Sequence, residues 1–503
     1  MRKVFLSILV ALLVLGQAQA QNHLCFTAKK MNSSVGIKNF NGNTPDITYS
    51  IDGGKSWSRI EEKKSVTLTR IGDRVLFRGK NPKGFSKNDS IYTKFILTGS
   101  VEASGSVMSL VDGTGKSSTI PTPYCFYGLF NACVKLMKAP ELTATNLTDY
   151  CYSDMFSDCR GLTDSPKLPA KKLSEGCYDK MFRSCKNLTA APELPATELA
   201  KNCYGRMFEE CSSLTSAPQL LIKELTEACY FSMFKGCIKL KDAPVLPAII
   251  LKDSCYSQMF SGCSALEEAP ALPATKMKEW CYYGMFEACA NLMEAPELPA
   301  DSLASWCYGC MFKECANLTT APKLPATKME ENCYEEMFSS CLSLVEAPEL
   351  PATSLARRCY KGTFMDCQSL KIAPELPATE LSEWCYYQMF YNCIHLTHAP
   401  KLPAKELTEY CYFSMFSNCL ALLNAPDLPA TVVKKSSYYK MFSECRNLKR
   451  IKVGFSDWYN LSSWVKNVAP KGTFTCPAEL KKEFGEDKIP EGWKVEKLKK
   501  TDW

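Results

Sequence analysis

CYSDMFSDC, residues 151–159, returns almost intact along most of the chain: CYDKMFRSC (177–185), CYGRMFEEC (203–211), CYSQMFSGC (255–263), CYYGMFEAC (281–289). The first cysteines stand at 125, 151, 177, 203, 229, 255, 281, 307, 333, 359, 385 and 411, and Ser437 takes the thirteenth place, a step of 26 each time. Self-similarity at a fixed period of this size marks a solenoid, in which each repeat buries its apolar face against the next. No insertion breaks the register from 125 to about 450.

A full repeat reads CYDKMFRSCKNLTAAPELPATELAKN (177–202). With the first cysteine as position 1, apolar residues recur at positions 1, 5, 6, 9 and 12, a spacing that predicts one face of a short helix. Phe holds position 6 in all thirteen repeats, from Phe130 to Phe442, and Leu holds position 12 in all thirteen, from Leu136 to Leu448. The Ala-Pro-x-Leu-Pro-Ala segment that follows cannot be helix interior, and its prolines remove ladder donors, so it predicts a strand-like stretch in a narrow sheet. The expected fold is an α/β repeat solenoid: thirteen 26-residue repeats of short helix plus short strand over 125–450, behind a β-rich N-terminal domain.

The pattern MFxxCxxLxxAP-x-LP resembles the BspA-like (Treponema pallidum type) leucine-rich repeats, whose repeats carry AFxxCxxL before an isoleucine- and proline-containing strand. Here Met stands in the small-residue place and Ala in the strand isoleucine place. The resemblance covers 125 to about 450. It implies a leucine-rich repeat solenoid on an exported surface protein, in a family associated with adhesion to host proteins.

The chain has 28 cysteines, and three readings of the C-x7-C pair compete. Zinc prefers close pairs with a second pair nearby, so no metal site is expected. Eight helical residues would separate the Cα atoms by ~12 Å, beyond the reach of a disulfide, and helices stack ~8–10 Å apart, which disfavours bridges between repeats. Ser437 replaces one first cysteine while Cys445 remains, so the pair is not obligatory. The favoured reading is a small buried hydrophobe. Some disulfides stay open, because a cysteine-rich exported chain ordinarily forms them.

Residues 1–20, MRKVFLSILVALLVLGQAQA, read as a cleavable signal peptide: Arg2 and Lys3, an apolar run, then Ala18-Gln19-Ala20. That run is too short to span a bilayer, no later run approaches the needed length, and no cysteine marks a lipid-anchor site, so the expected location is secreted or cell-surface. Residues 21–120 read as a β-rich module and cap, since ITYSIDGGKSW, SVTLTRIGDRVLFRG and IYTKFILTGSV alternate at period two around the Asp52-Gly53-Gly54 turn. SIDGGKSW (50–57) also resembles the Asp-box hairpin of sialidase propellers. After Leu448 the pattern dissolves, and 451–503 reads as a C-terminal cap.

Net charge is +7 from 60 basic and 53 acidic residues, too mild a balance to point to nucleic acid. The three histidines, His23, His395 and His398, do not converge, and no P-loop, dinucleotide fingerprint, H-E-x-x-H or G-x-S-x-G is present. No catalysis and no cofactor are expected. Aromatic residues gather instead at two variable places, positions 26 and 3, three apart across the repeat boundary. Trp280, Tyr283 and Trp306 are expected to form one cluster, and Trp384, Tyr387, Tyr410 and Phe413 a second. The expectation is a non-enzymatic surface protein contacting an extracellular host or matrix protein. A polysaccharide partner, with rings stacking on sugars, and a passive scaffold are the alternatives.

Overall fold

The computed structural model describes residues 22–498, which fall into two compact units divided between Pro244 and Val245. The signal-peptide reading of 1–20 lies outside the described residues.

The N-terminal unit opens with eight strands: β1 (Leu24–Ala28), β2 (Ser33–Asn39), β3 (Thr48–Ser50), β4 (Ser58–Arg59), β5 (Ser65–Leu68), β6 (Arg74–Arg78), β7 (Thr93–Thr98) and β8 (Val101–Ser104). One turn of helix, α1 (Ser109–Asp112), follows, then β9 (Leu136–Lys138) inside the first repeat. The strands form two sheets, ordered β4-β3-β6-β1-β8-β9 and β5-β2-β7. Phe95 of the second sheet packs against Phe26 and Phe77 of the first at ring distances of 5.0 and 5.2 Å, the core of a β-sandwich. The SIDGGKSW hairpin closes on itself, its Asp52 carboxylate accepting from Ser50 Oγ, the Lys55 amide, and both the amide and hydroxyl of Ser56.

This sandwich packs against the first repeat. β8 pairs with β9 in parallel, the Ser86 amide donates to the Cys125 carbonyl, and the Phe95 amide donates to the Leu129 carbonyl, both at 2.9 Å. The Phe95 ring lies stacked on Phe130 at 5.5 Å.

Positions 1–9 of the repeats are not helical; among the described residues α1 is the one α-helix, and it lies outside them. Each repeat is a string of tight turns. In the repeat starting at Cys281, the amides of Tyr283, Met285, Glu287 and Cys289 each donate three residues back, to Trp280, Tyr282, Gly284 and Phe286. The alternate amides of Tyr282, Gly284, Phe286 and Ala288 donate forward to Cys307, Gly309, Met311 and Lys313 of the next repeat at 2.7–3.1 Å. The repeat starting at Cys151 is wired likewise to the one starting at Cys177. Half the backbone donors are thus satisfied within the repeat and half between repeats, which meets the demand that buried amides be paired. Every fourth residue takes a left-handed conformation, as at Trp280, Gly284 and Ala288 (φ 57°, 54° and 57°). The period is therefore four, and it turns positions 1, 5 and 9 and positions 2 and 6 inward.

Two aromatic ladders result. In the C-terminal unit the position-6 rings stack from Phe260 to Phe442, with Phe286 and Phe312 5.7 Å apart. The position-2 tyrosines stack beside them, Tyr282 and Tyr308 being 6.0 Å apart. Cys281, Tyr282, Met285, Phe286, Cys289 and Leu292 are at most 1% exposed, and full burial of such an apolar side chain is worth ~1.5–3 kcal/mol. All 28 cysteines are buried and in no disulfide, 25 of them in the two columns of the core reading and Cys25, Cys310 and Cys476 outside those columns. The repeats lie closer than packed helices would, so helix spacing is not what keeps the thiols apart.

The Ala-Pro-x-Leu-Pro-Ala flank is extended and joined between repeats by isolated parallel bridges, such as Glu294↔Thr320 and Ser302↔Lys328. Leu298 and Ala300 point inward from it. Beyond Leu448 the winding continues in shorter steps. β10 (Arg450–Lys452), β11 (Thr473–Cys476) and β12 (Lys494–Lys497) form a parallel sheet in which Arg450 faces Thr473 and Thr473 faces Lys494. Trp464, fully buried, continues the ladder past Phe442, whose amide donates to the Trp464 carbonyl at 2.8 Å.

Candidate binding surface

The residues at positions 26 and 3 share one flank because a turn joins them. The Tyr283 amide donates to the Trp280 carbonyl, Tyr387 to Trp384 and Phe413 to Tyr410, each at 3.2 Å. The flank position expected from a helix face is thus reached by a different backbone. Stacking of repeats then sets equivalent side chains side by side.

Both expected clusters form. The Trp280 and Trp306 indoles stack at 4.6 Å and 11°, with Tyr283 edge-on to both. Trp384 and Tyr410 stack at 4.1 Å, and Tyr387, Phe413 and Tyr439 stack in turn at 4.6 and 4.5 Å. All seven expected residues are half-buried, each ring packed on a neighbour and keeping part of its surface in solvent.

Polar residues that sequence reasoning did not single out join the two clusters. The Asn332 amide, in the orientation that satisfies its neighbours, accepts from Trp306 Nε1 at 3.1 Å and donates to Glu335. Glu335 is 6% exposed and pairs with Lys361 at 2.6 Å. Burial raises its carboxyl above the usual range, although the Lys361 bond works the other way. The Lys361 ammonium lies 6.0 Å from the Tyr387 ring centre, and the Arg358 guanidinium 5.7 Å from that of Trp384. Burial also pushes up the Tyr283 phenol, with Cys310 beside it adding to the shift. The strip is therefore aromatic at both ends and charged in the middle, and its groups hold one another in place.

The N-terminal unit carries a shorter counterpart. Tyr124 stacks on Tyr150 at 4.9 Å, Tyr127 sits edge-on to Tyr124 and Tyr92, and Tyr92 stacks on Phe40 at 4.4 Å. His395 and His398 are exposed, as expected of surface residues. Among the described residues no group of three or more His, Cys, Asp or Glu could hold a metal ion, and no helix is long and apolar enough to cross a membrane.

Stacked 26-residue windings with variable aromatic and charged residues along one flank define a leucine-rich repeat solenoid with a surface suited to protein binding. The BspA type leucine rich repeat region matches the chain in six copies, over residues 123–267, 178–319 and 363–465. The chain belongs to that family. No curated protein and no solved structure matches it.

Proposed function

We propose that the protein is a non-enzymatic binding protein of the cell exterior, and that it holds an extracellular host or matrix protein on the strip from Trp280 to Tyr439. The observation that carries this reading is how the rings are used. Trp280 and Trp306, and Trp384 and Tyr410, cover each other's inner faces, and Arg358 and Lys435 lie 5.7 Å from the ring centres of Trp384 and Tyr410 on that second pair, so ring edges make up much of what the strip offers. Ring edges beside Glu335, Lys361 and Arg358 suit the mixed apolar and charged surface of a polypeptide, where aromatic and arginine side chains dominate hot spots. The leader-like residues 1–20 support export of the chain. No catalytic role is assigned to any residue of the strip.

The test is a binding screen of the chain against immobilised extracellular-matrix proteins and purified polysaccharides on one array. A protein ligand whose capture survives its deglycosylation and is lost on its proteolysis supports the reading. Capture of polysaccharides alone would overturn it in favour of a glycan-binding protein.

A further inference from the structure

The sandwich of the N-terminal unit has two unlike ends. Strands β1, β3, β5 and β7 all run toward one of them, and β2, β4, β6 and β8 leave it, so the four connecting loops, 29–32, 51–57, 69–73 and 99–100, open together there. Hydrogen bonds tie three of them: the Asn32 amide donates to the Thr69 carbonyl, Gly72 to Ala28, and Lys29 to Ser100. The first repeat lies along the β7–β8 edge between the two ends, from Ser86 on Cys125 and Tyr92 against Tyr127 to Val101, whose amide donates to the Lys135 carbonyl.

Three of the four loops of the free end carry an aliphatic residue turned into solvent: Met31, Ile51 and Ile71, exposed 62%, 68% and 65%. Single exposed aliphatics are ordinary on a protein surface. Three on separate loops at one end, each near an exposed cation (Lys30, Lys55 and Arg70), are a different matter. The charge of the module points the same way. Residues 22–124 carry 15 Lys and Arg against 8 Asp and Glu, whereas 125–503 carry 43 against 45, so the module holds the positive charge of the described chain. The Asp52 carboxylate at this end is wrapped by four hydrogen bonds of its own loop.

We infer that this end of the sandwich docks on an anionic lipid surface, with Met31, Ile51 and Ile71 entering the headgroup region and Lys30, Lys55 and Arg70 meeting the phosphates. Shallow apolar insertion combined with basic residues is the pairing of forces that holds proteins at anionic bilayers. Neither the proposed binding strip nor its partner enters this inference.

The test uses the full chain with vesicles of phosphatidylcholine alone and of phosphatidylcholine with phosphatidylglycerol, read by co-sedimentation. Binding to the anionic vesicles only, weakened by salt, is expected. The Met31→Ser/Ile51→Ser/Ile71→Ser variant should bind at least tenfold more weakly at unchanged melting temperature, and so should Lys30→Glu/Lys55→Glu/Arg70→Glu. Should a triple variant melt lower, its single substitutions, read separately, must still each weaken binding. Failure to sediment with anionic vesicles would overturn the inference. Undiminished binding by the aliphatic variant would do the same, leaving adsorption by charge alone. Equal displacement of parent and aliphatic variant by dextran sulfate would overturn it in favour of a soluble-polyanion site.

Discussion

The thiol of Cys289 donates to the carbonyl of Phe260, 29 residues earlier, at 3.1 Å. The relation repeats down the position-9 column, at the same distance in Cys185 with Phe156, Cys341 with Phe312 and Cys419 with Phe390. Where Thr363 replaces the position-5 methionine, its hydroxyl makes an equivalent bond to the Tyr334 carbonyl, again 29 residues back. The second cysteine is therefore both a filler and a donor that ties one repeat to the one before.

Cys289→Ala removes that donor and leaves a small void, and a loss of about 1–3 kcal/mol in unfolding free energy is expected. Cys289→Ser keeps a donor of similar shape and should lose less. Ser437, fully buried in the first column with its hydroxyl on the Lys434 carbonyl, is the internal precedent. Denaturant titration of the two variants decides it; equal losses would leave the thiol as filler alone.

Alkali should unfold the protein. Burial pushes the thiols of Cys211, Cys281, Cys315 and Cys445 from 9.0 to about 12. Above pH 9 the unfolded chain loses these protons while the folded chain keeps them, so their contribution is full below 9 and lost as pH climbs toward 12. Each such thiol costs about 1.4 kcal/mol per pH unit in that window. The melting temperature should hold steady from neutral pH to about 8 and fall steeply above 9. An unchanged melting temperature well above pH 10 would contradict this.

Thiol titration without reductant should find about 28 reactive groups in denaturant and almost none in the native protein. A denatured count that falls short by pairs would mean that some columns are oxidised.

Removing residues 22–120 strips the Cys125 and Leu129 carbonyls of their partners and uncovers Phe130. Terminal repeats without a cap expose their apolar face. The shortened chain should aggregate or melt well below the parent, as read by light scattering and calorimetry. Unchanged melting of a monomer would show that the sandwich is an appendage and not a cap.

The repeat length, the inward Phe, Leu and Cys, and the β-rich start could all be read from the sequence because burial imposes them on residue type. The helix was misread because, over nine residues, a period of four and a period of 3.6 select the same positions. A discriminating sign was present in the left-handed places. Those of the repeats include Gly128, Gly236, Asn392 and Asn418, and none of them is Val, Ile or Thr, the residues to which positive φ is most costly. The position-2 tyrosines fall outside the apolar places 1, 5, 6, 9 and 12 that a helix face selects, yet Tyr282 and Tyr308 are 1% exposed. Glu335 and Lys361 were hidden for a related reason. Their column accepts both signs of charge and aromatic rings, and only the stacking of repeats shows them paired.

The central claim is that the strip from Trp280 to Tyr439 is held in shape by its own stacking and serves a polypeptide partner. The most direct measurement compares the parent with Trp306→Ala and Trp384→Ala for capture of a matrix-protein ligand and for melting temperature. The account predicts a loss of capture of tenfold or more with melting lowered by only a few degrees, since the replaced rings are half-buried. Undiminished capture by both variants would contradict it, and a large fall in melting temperature with binding intact would assign the rings to packing alone.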